Sequence, residues 1–121
     1  MGARINFVFK DVEDEASVVL YSHWGETEWH RDLAMALQHS KPRWNDVAYF
    51  TRMMISYLMQ DSILEETGFG IYAVQGNNFE LGDTTVVIDM EKETVYEVGS
   101  DTQVKWDLFV AAYRPVLMEQ I

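Results

Sequence analysis

Residues 4–23, RINFVFKDVEDEASVVLYSH, decide the fold class. Ile5, Phe7 and Phe9 alternate with Asn6, Val8 and Lys10, and a period of two marks a strand with one face turned inward. The acidic run from Asp11 to Glu15 reads as a turn. Residues 17–23 (SVVLYSH) are β-branched and aromatic, so they form the second arm of a hairpin. Gly25 breaks the run.

Beyond that hairpin the period changes. Trp29, Leu33, Ala36 and Leu37 follow the i, i+4, i+7, i+8 spacing of an amphipathic helix, with Thr27 as its N-cap. Pro42 disfavours helix at the residue before it, so this helix stops near Ser40. After the short loop 41–44, Asn45 or Asp46 caps a second helix expected to run to about Leu64. Its inner stripe is Val47, Phe50, Met54, Tyr57 and Leu58, widened by Met53 and Ile55. Thr67 and Gly68 end it, residues 69–74 form a short third strand, and Gly76 to Asn78 make a turn. Residues 84–90 (TTVVIDM) and 93–98 (ETVYEV) flank Glu91-Lys92 as a tight hairpin. Trp106, Phe109, Val110 and Tyr113 sit at helical spacing, and Pro115 closes that last helix.

The order ββααβββα groups strands and helices in runs, which points to an α+β fold with a mostly antiparallel sheet of about five strands. The two central helices are expected across one face, burying Phe7, Leu20, Ile71 and Ile88 against Phe50 and Leu58. A chain of 121 residues suits one domain, residues 1–121, since domains cluster at roughly 100–150 residues. With 48% hydrophobic residues and 16 aromatics, disorder is excluded. The absence of cysteine removes disulfide scaffolds, thiol catalysis and Cys-based metal sites.

Charge narrows the function classes. Nine basic residues against 20 acidic ones give a formal net charge of −11, which repels phosphate backbones and anionic membranes. Direct nucleic-acid binding is not expected, nor is a membrane partner. No apolar run is long enough to span a bilayer and no targeting segment is legible, so the expected location is the cytoplasm, that of the host cell if the gene is phage-borne. Residues 61–121 hold 12 acids and 3 bases, net −9. By contrast, Arg31, Lys41, Arg43 and Arg52 gather between residues 31 and 52, beside His23, His30 and His39 and beside Trp24, Trp29 and Trp44.

Four pieces of the chain form a pattern: Met1-Gly2-Ala3-Arg4, Tyr21-Ser22-His23-Trp24, residues 43–52 (RWNDVAYFTR) and residues 66–71 (ETGFGI). In these it resembles a family of small uncharacterised proteins of bacteriophages and bacterial genomes. The resemblance covers about the first 75 residues. It implies a phage or prophage setting, in which small acidic proteins act as accessory factors against host systems, and it implies no mechanism.

Several local chemistries can be weighed. Ser22 and His23 look like a nucleophile beside its base, yet neighbours on a strand point to opposite faces, so they form no dyad. A hydrolase would need His23 oriented by an acid such as Asp46. Loss of Met1 would expose Gly2, which carries no nucleophile. A histidine metal site would draw on His23, His30 or His39 with Glu26, Glu28 or Asp32, but no compact zinc spacing is present and no metal or cofactor is expected. Met35, Met53, Met54 and Met59 read as core filler.

The most specific feature is Arg43-Trp44 followed by Asp46, Tyr49 and Arg52. Tyr49 and Arg52 are i, i+3 on one helix, just after an arginine and an indole. An arginine fork plus an indole plane suits a phosphate carrying a base, at a helix end that favours anions. The opposing reading has Asp46 as a cap, Arg52 in a salt bridge and Trp44 as a staple. The expected site is Arg43, Trp44, Tyr49 and Arg52, with His23 and Trp24 across from them. The leading function is a phage-type accessory protein that acts by binding and without catalysis, sequestering a small anionic, nucleotide-like ligand or blocking a host protein. An acidic mimic of nucleic acid that inhibits a host protein is the second reading, and a small hydrolase using His23 the third. A homodimer is favoured if Trp or Tyr lies exposed at a sheet edge.

Overall fold

The computed structural model describes residues 4–11, 16–22, 29–75 and 84–113. Strand β1 (Ile5–Lys10) and strand β2 (Ala16–Ser22) are followed by helices α1 (Trp29–His39) and α2 (Val47–Leu58). Then come β3 (Phe69–Gln75), β4 (Thr84–Asp89), β5 (Thr94–Glu97), the two-residue β6 (Val104–Lys105) and α3 (Trp106–Tyr113). The fold is α+β, built on one six-stranded sheet in the order β3-β2-β1-β4-β5-β6. The hairpin of residues 4–22 supplies its centre, with Phe7 opposite Leu20 and Phe9 opposite Val18.

The sheet is mostly antiparallel, as expected, and has one strand more than the expected five. The strand β6 is a sixth, too short to show any period. The β1–β4 pairing is parallel, while the other four are antiparallel. Taking β4 beside β1 leaves β3 as an outer strand, attached only through β2.

The period of two separates two clusters. Ile5, Phe7, Phe9, Leu20, Val86, Ile88 and Val95 join buried residues of all three helices in the main core. Val8, Val19 and Val87, the residues between them, form a second cluster with Val74, Tyr96 and Val98 on the other face. At the centre of the main core Phe50 stacks on Trp106, centroids 4.6 Å apart, and the Trp106 indole N–H donates to the Thr94 carbonyl at 3.0 Å. That contact ties α2, α3 and β5 together. Removing an aromatic of this kind costs about 3–5 kcal/mol.

Turn chemistry explains the remaining boundaries. Asp46 caps α2: its carboxylate accepts the Tyr49 N–H at 3.3 Å. The helix ends at Leu58, six residues before the expected stop. There the Gln60 side-chain amide donates to the Tyr57 carbonyl at 3.0 Å, and residues Gln60–Ser62 continue as a 3-10 turn. Between β4 and β5 the buried Asp89 carboxylate accepts the N–H groups of Glu91 and Lys92, both at 3.0 Å. The reversal uses more than Glu91-Lys92, because Glu93 takes a left-handed φ of 57°. Thr27, Gly25, the turn 76–78 and Pro115 lie outside the described residues.

Two residues expected inside are not. Ile71 is 57% exposed and Val47 41% exposed. The flank of α2 beside β3 carries Ala48, Thr51, Ile55 and Ser56, and a hollow lies between it and Ile71. Phe50 and Met54, on its inward face, are fully buried as expected.

Candidate functional site

Residues 43–52 spread over two environments. Trp44 is half-buried and turned into the fold: its indole N–H donates to the Leu37 carbonyl at 3.0 Å, and its edge meets Trp106 with centroids 5.2 Å apart. The Lys41 ammonium lies 5.6 Å over its ring. Packing holds this indole against α1 and α3. The sequence alone could not separate a ligand-stacking indole from a packed one, because both need a flat apolar ring at that position.

Arg43 and Tyr49 are brought together at the surface. The Arg43 guanidinium stands 5.2 Å over the Tyr49 ring, and Tyr49 is 55% exposed. Such an exposed cation–π contact is worth about 0.5–1 kcal/mol. Asp46 sets its own carboxylate at this end of α2, where an incoming anion would otherwise meet free N–H groups.

Arg52 faces elsewhere. It lies on the exposed flank of α2 and touches Ser56 Oγ at 3.4 Å. Among the described residues neither Arg43 nor Arg52 forms an ion pair. Arg52 stands at the rim of a trough of about 450 Å³ between α2 and the sheet. Phe9, Val18, Ile55 and Ile71 give the trough its apolar floor and walls, and Asp11, Thr51 and Ser56 add polar groups. Arg43, Trp44 and Tyr49 do not line it. His23 and Trp24 lie outside the described residues.

The sequence reading missed this trough. Its only early signal was the run of short side chains on one flank of a helix whose other face is large and apolar. A second cleft, of about 280 Å³, lies at the C-terminal end of α2, between α1 and the start of β3. Its lining includes Trp29, Asp32, Tyr57, Gln60, Asp61 and Phe69.

The remaining candidates are accounted for by packing. Met54 is buried, while Met35, Met53 and Met59 are half-buried. His39 packs on Tyr57 at 5.2 Å. His30 stacks on Trp29 at 3.7 Å and meets Tyr113 at 4.8 Å. Burial pushes the His30 imidazole below its ordinary pKa, and the Glu97 carboxylate opposes that shift. Among the described residues no group of three His, Cys, Asp or Glu side chains could hold a metal ion. No helix among them is long and apolar enough to cross a membrane. Comparison with family models, with curated proteins and with solved structures finds no match.

Proposed function

We propose that this chain is a small acidic accessory protein of the phage or prophage kind that acts by binding and without turnover. Its ligand is a small anion with a flat apolar body, of nucleotide-like size, held in the trough beside α2. The observation that carries this reading is Arg52: a guanidinium without an ion-pair partner among the described residues, at the rim of an apolar hollow. Pockets for compounds of this size run to roughly 300–1,000 Å³, so about 450 Å³ is adequate. The guanidinium offers a fork of N–H donors to phosphate or carboxylate, and the floor of Phe9, Val18 and Ile55 takes the apolar body. Arg43, in the 3-10 turn that precedes α2, stands over Tyr49 and adds positive potential without lining the trough.

The test is calorimetric titration of nucleoside monophosphates and aromatic carboxylates into the wild type and the Arg52→Ala variant. Binding in the wild type and a loss of about tenfold or more in the variant support the reading, since a charge-assisted hydrogen bond contributes about 1.5–3 kcal/mol. Equal affinity in both removes it. Melting temperature separates the outcomes, because Arg52 is exposed and its removal leaves the fold intact.

A second reading, inhibition of a host protein by mimicry of nucleic acid, is favoured by the exposed carboxylates Asp61, Glu65, Glu66, Glu91, Asp101 and Asp107. Binding to a basic partner protein would then weaken steeply with added salt. A flat salt response contradicts it. Tyr72, 39% exposed on the outer strand β3, is the kind of residue that favours a homodimer.

A further inference from the structure

The cleft at the C-terminal end of α2 differs from the trough, where Arg52 and Asp11 balance, in the charge of its lining. Its lining carries two carboxylates, Asp32 and Asp61, and no lysine, arginine or histidine. Three aromatic residues, Trp29, Tyr57 and Phe69, line the same hollow, with Trp29 also stacked on His30 and Tyr57 packed on His39. The last carbonyls of a helix carry the negative end of its dipole, and α2, 12 residues long, ends here. Asp61 is exposed on the 3-10 turn that follows.

We infer that this cleft receives an organic cation: an alkylammonium or guanidinium group on a short apolar stem. Ring faces attract cations through their quadrupole, the more strongly where water is displaced, and carboxylates hold the charged head. Size decides the class. A hollow of about 280 Å³ holds a lysine or arginine side chain or a segment of a polyamine, and is tight for a nucleotide. The net charge of −11 draws cations toward the whole molecule and repels competing anions from this end. Asp61 supplies the charge for the head group, and Gln60 lines the same wall. This inference is independent of the ligand proposed for the trough.

The probes are agmatine, spermidine and a short neutral-ended peptide with one lysine, each titrated into the full chain while the amide signals of residues 57–62 and 69 are followed by NMR. Saturable shifts confined to those signals are expected in the millimolar range or below, with none from the same peptide acetylated on its lysine. Asp61→Asn should weaken binding by about fivefold, the loss of one exposed charge pair. Tyr57→Leu, which keeps apolar bulk, should weaken it by a smaller factor, about threefold. If the free amines saturate the site and the peptide does not, the ligand is a free polyamine or amine; the converse assigns a basic side chain of a partner protein. Absence of saturation by all three probes, or unchanged affinity in Asp61→Asn, overturns the inference.

Discussion

One flank of α2 and its C-terminal end border two different hollows. Along one flank, from Val47 to Ser56, the trough has an apolar floor with Arg52 and Asp11 in its lining, while past the last turn the cleft has aromatic walls and carboxylates. One helix separates them, and its inward face, Phe50 and Met54, is fully buried. The difference lies in the flanks. Ala48, Thr51, Ile55 and Ser56 border the hollow toward β3, and past the last turn Tyr57 and Gln60 border a smaller one. Packing thus fixes α2 through one face and leaves a flank and the C-terminal end to border hollows of different charge, one with Arg52 beside Asp11 and one with carboxylates alone.

That comparison can be broken most severely through the sheet. Ile88 and Ile71 are the same side chain on the same sheet face, one fully buried and one 57% exposed. Ile88→Ala should cost about 2–5 kcal/mol in urea denaturation, and Ile71→Ala about 0.5 kcal/mol or less. Equal losses would mean that the outer strand is covered and the trough closed. Next in size is Asp89→Ala, which removes two hydrogen bonds from a buried carboxylate at the β4–β5 reversal. It should cost about 1.5–3 kcal/mol by the same measurement.

Arg52→Glu sharpens the contrast between the hollows. It should leave the melting temperature within a few degrees, abolish anion binding at the trough and leave cation binding at the cleft intact. Loss of both ligands in a folded variant would show that the two hollows are not independent.

The smallest effect is one of pH. Burial lowers the His30 pKa in the folded state below its ordinary value of 6.5. In the window between the lowered value and 6.5 the unfolded chain binds the extra proton, so stability rises with pH there and falls as the solution is acidified below 6.5. The effect is complete below the folded-state value. His30→Gln should flatten that part of the pH–stability curve, as followed by thermal melts; an unchanged slope would place the proton uptake elsewhere.

Much of the fold was legible because it is written in local periods. The alternation Ile5-Phe7-Phe9, the helical spacing of Trp29, Leu33 and Leu37, and the cap at Asp46 each depend on neighbours in sequence. What escaped depends on distant ones. The parallel pairing of β1 with β4, which exiles β3 to the edge and exposes Ile71, leaves no mark in either strand's own pattern. The end of α2 lies earlier than expected because Ile63 and Leu64 resume an apolar pattern after Gln60-Asp61-Ser62, which turn as a 3-10 helix with the Gln60 amide bonded back to the Tyr57 carbonyl. The candidate site divided for a similar reason. Trp44 found Trp106, some sixty residues on, and left Arg52 on the other side of the helix with a different set of neighbours.

The most direct test is an NMR titration of the full chain with a nucleoside monophosphate, following the signals of Thr51, Ile55 and Ile71 beside those of Arg43 and Tyr49. Binding at the trough predicts saturable shifts at the first three, lost in Arg52→Ala. Shifts gathered around Arg43 and Tyr49, or none at all, would contradict it.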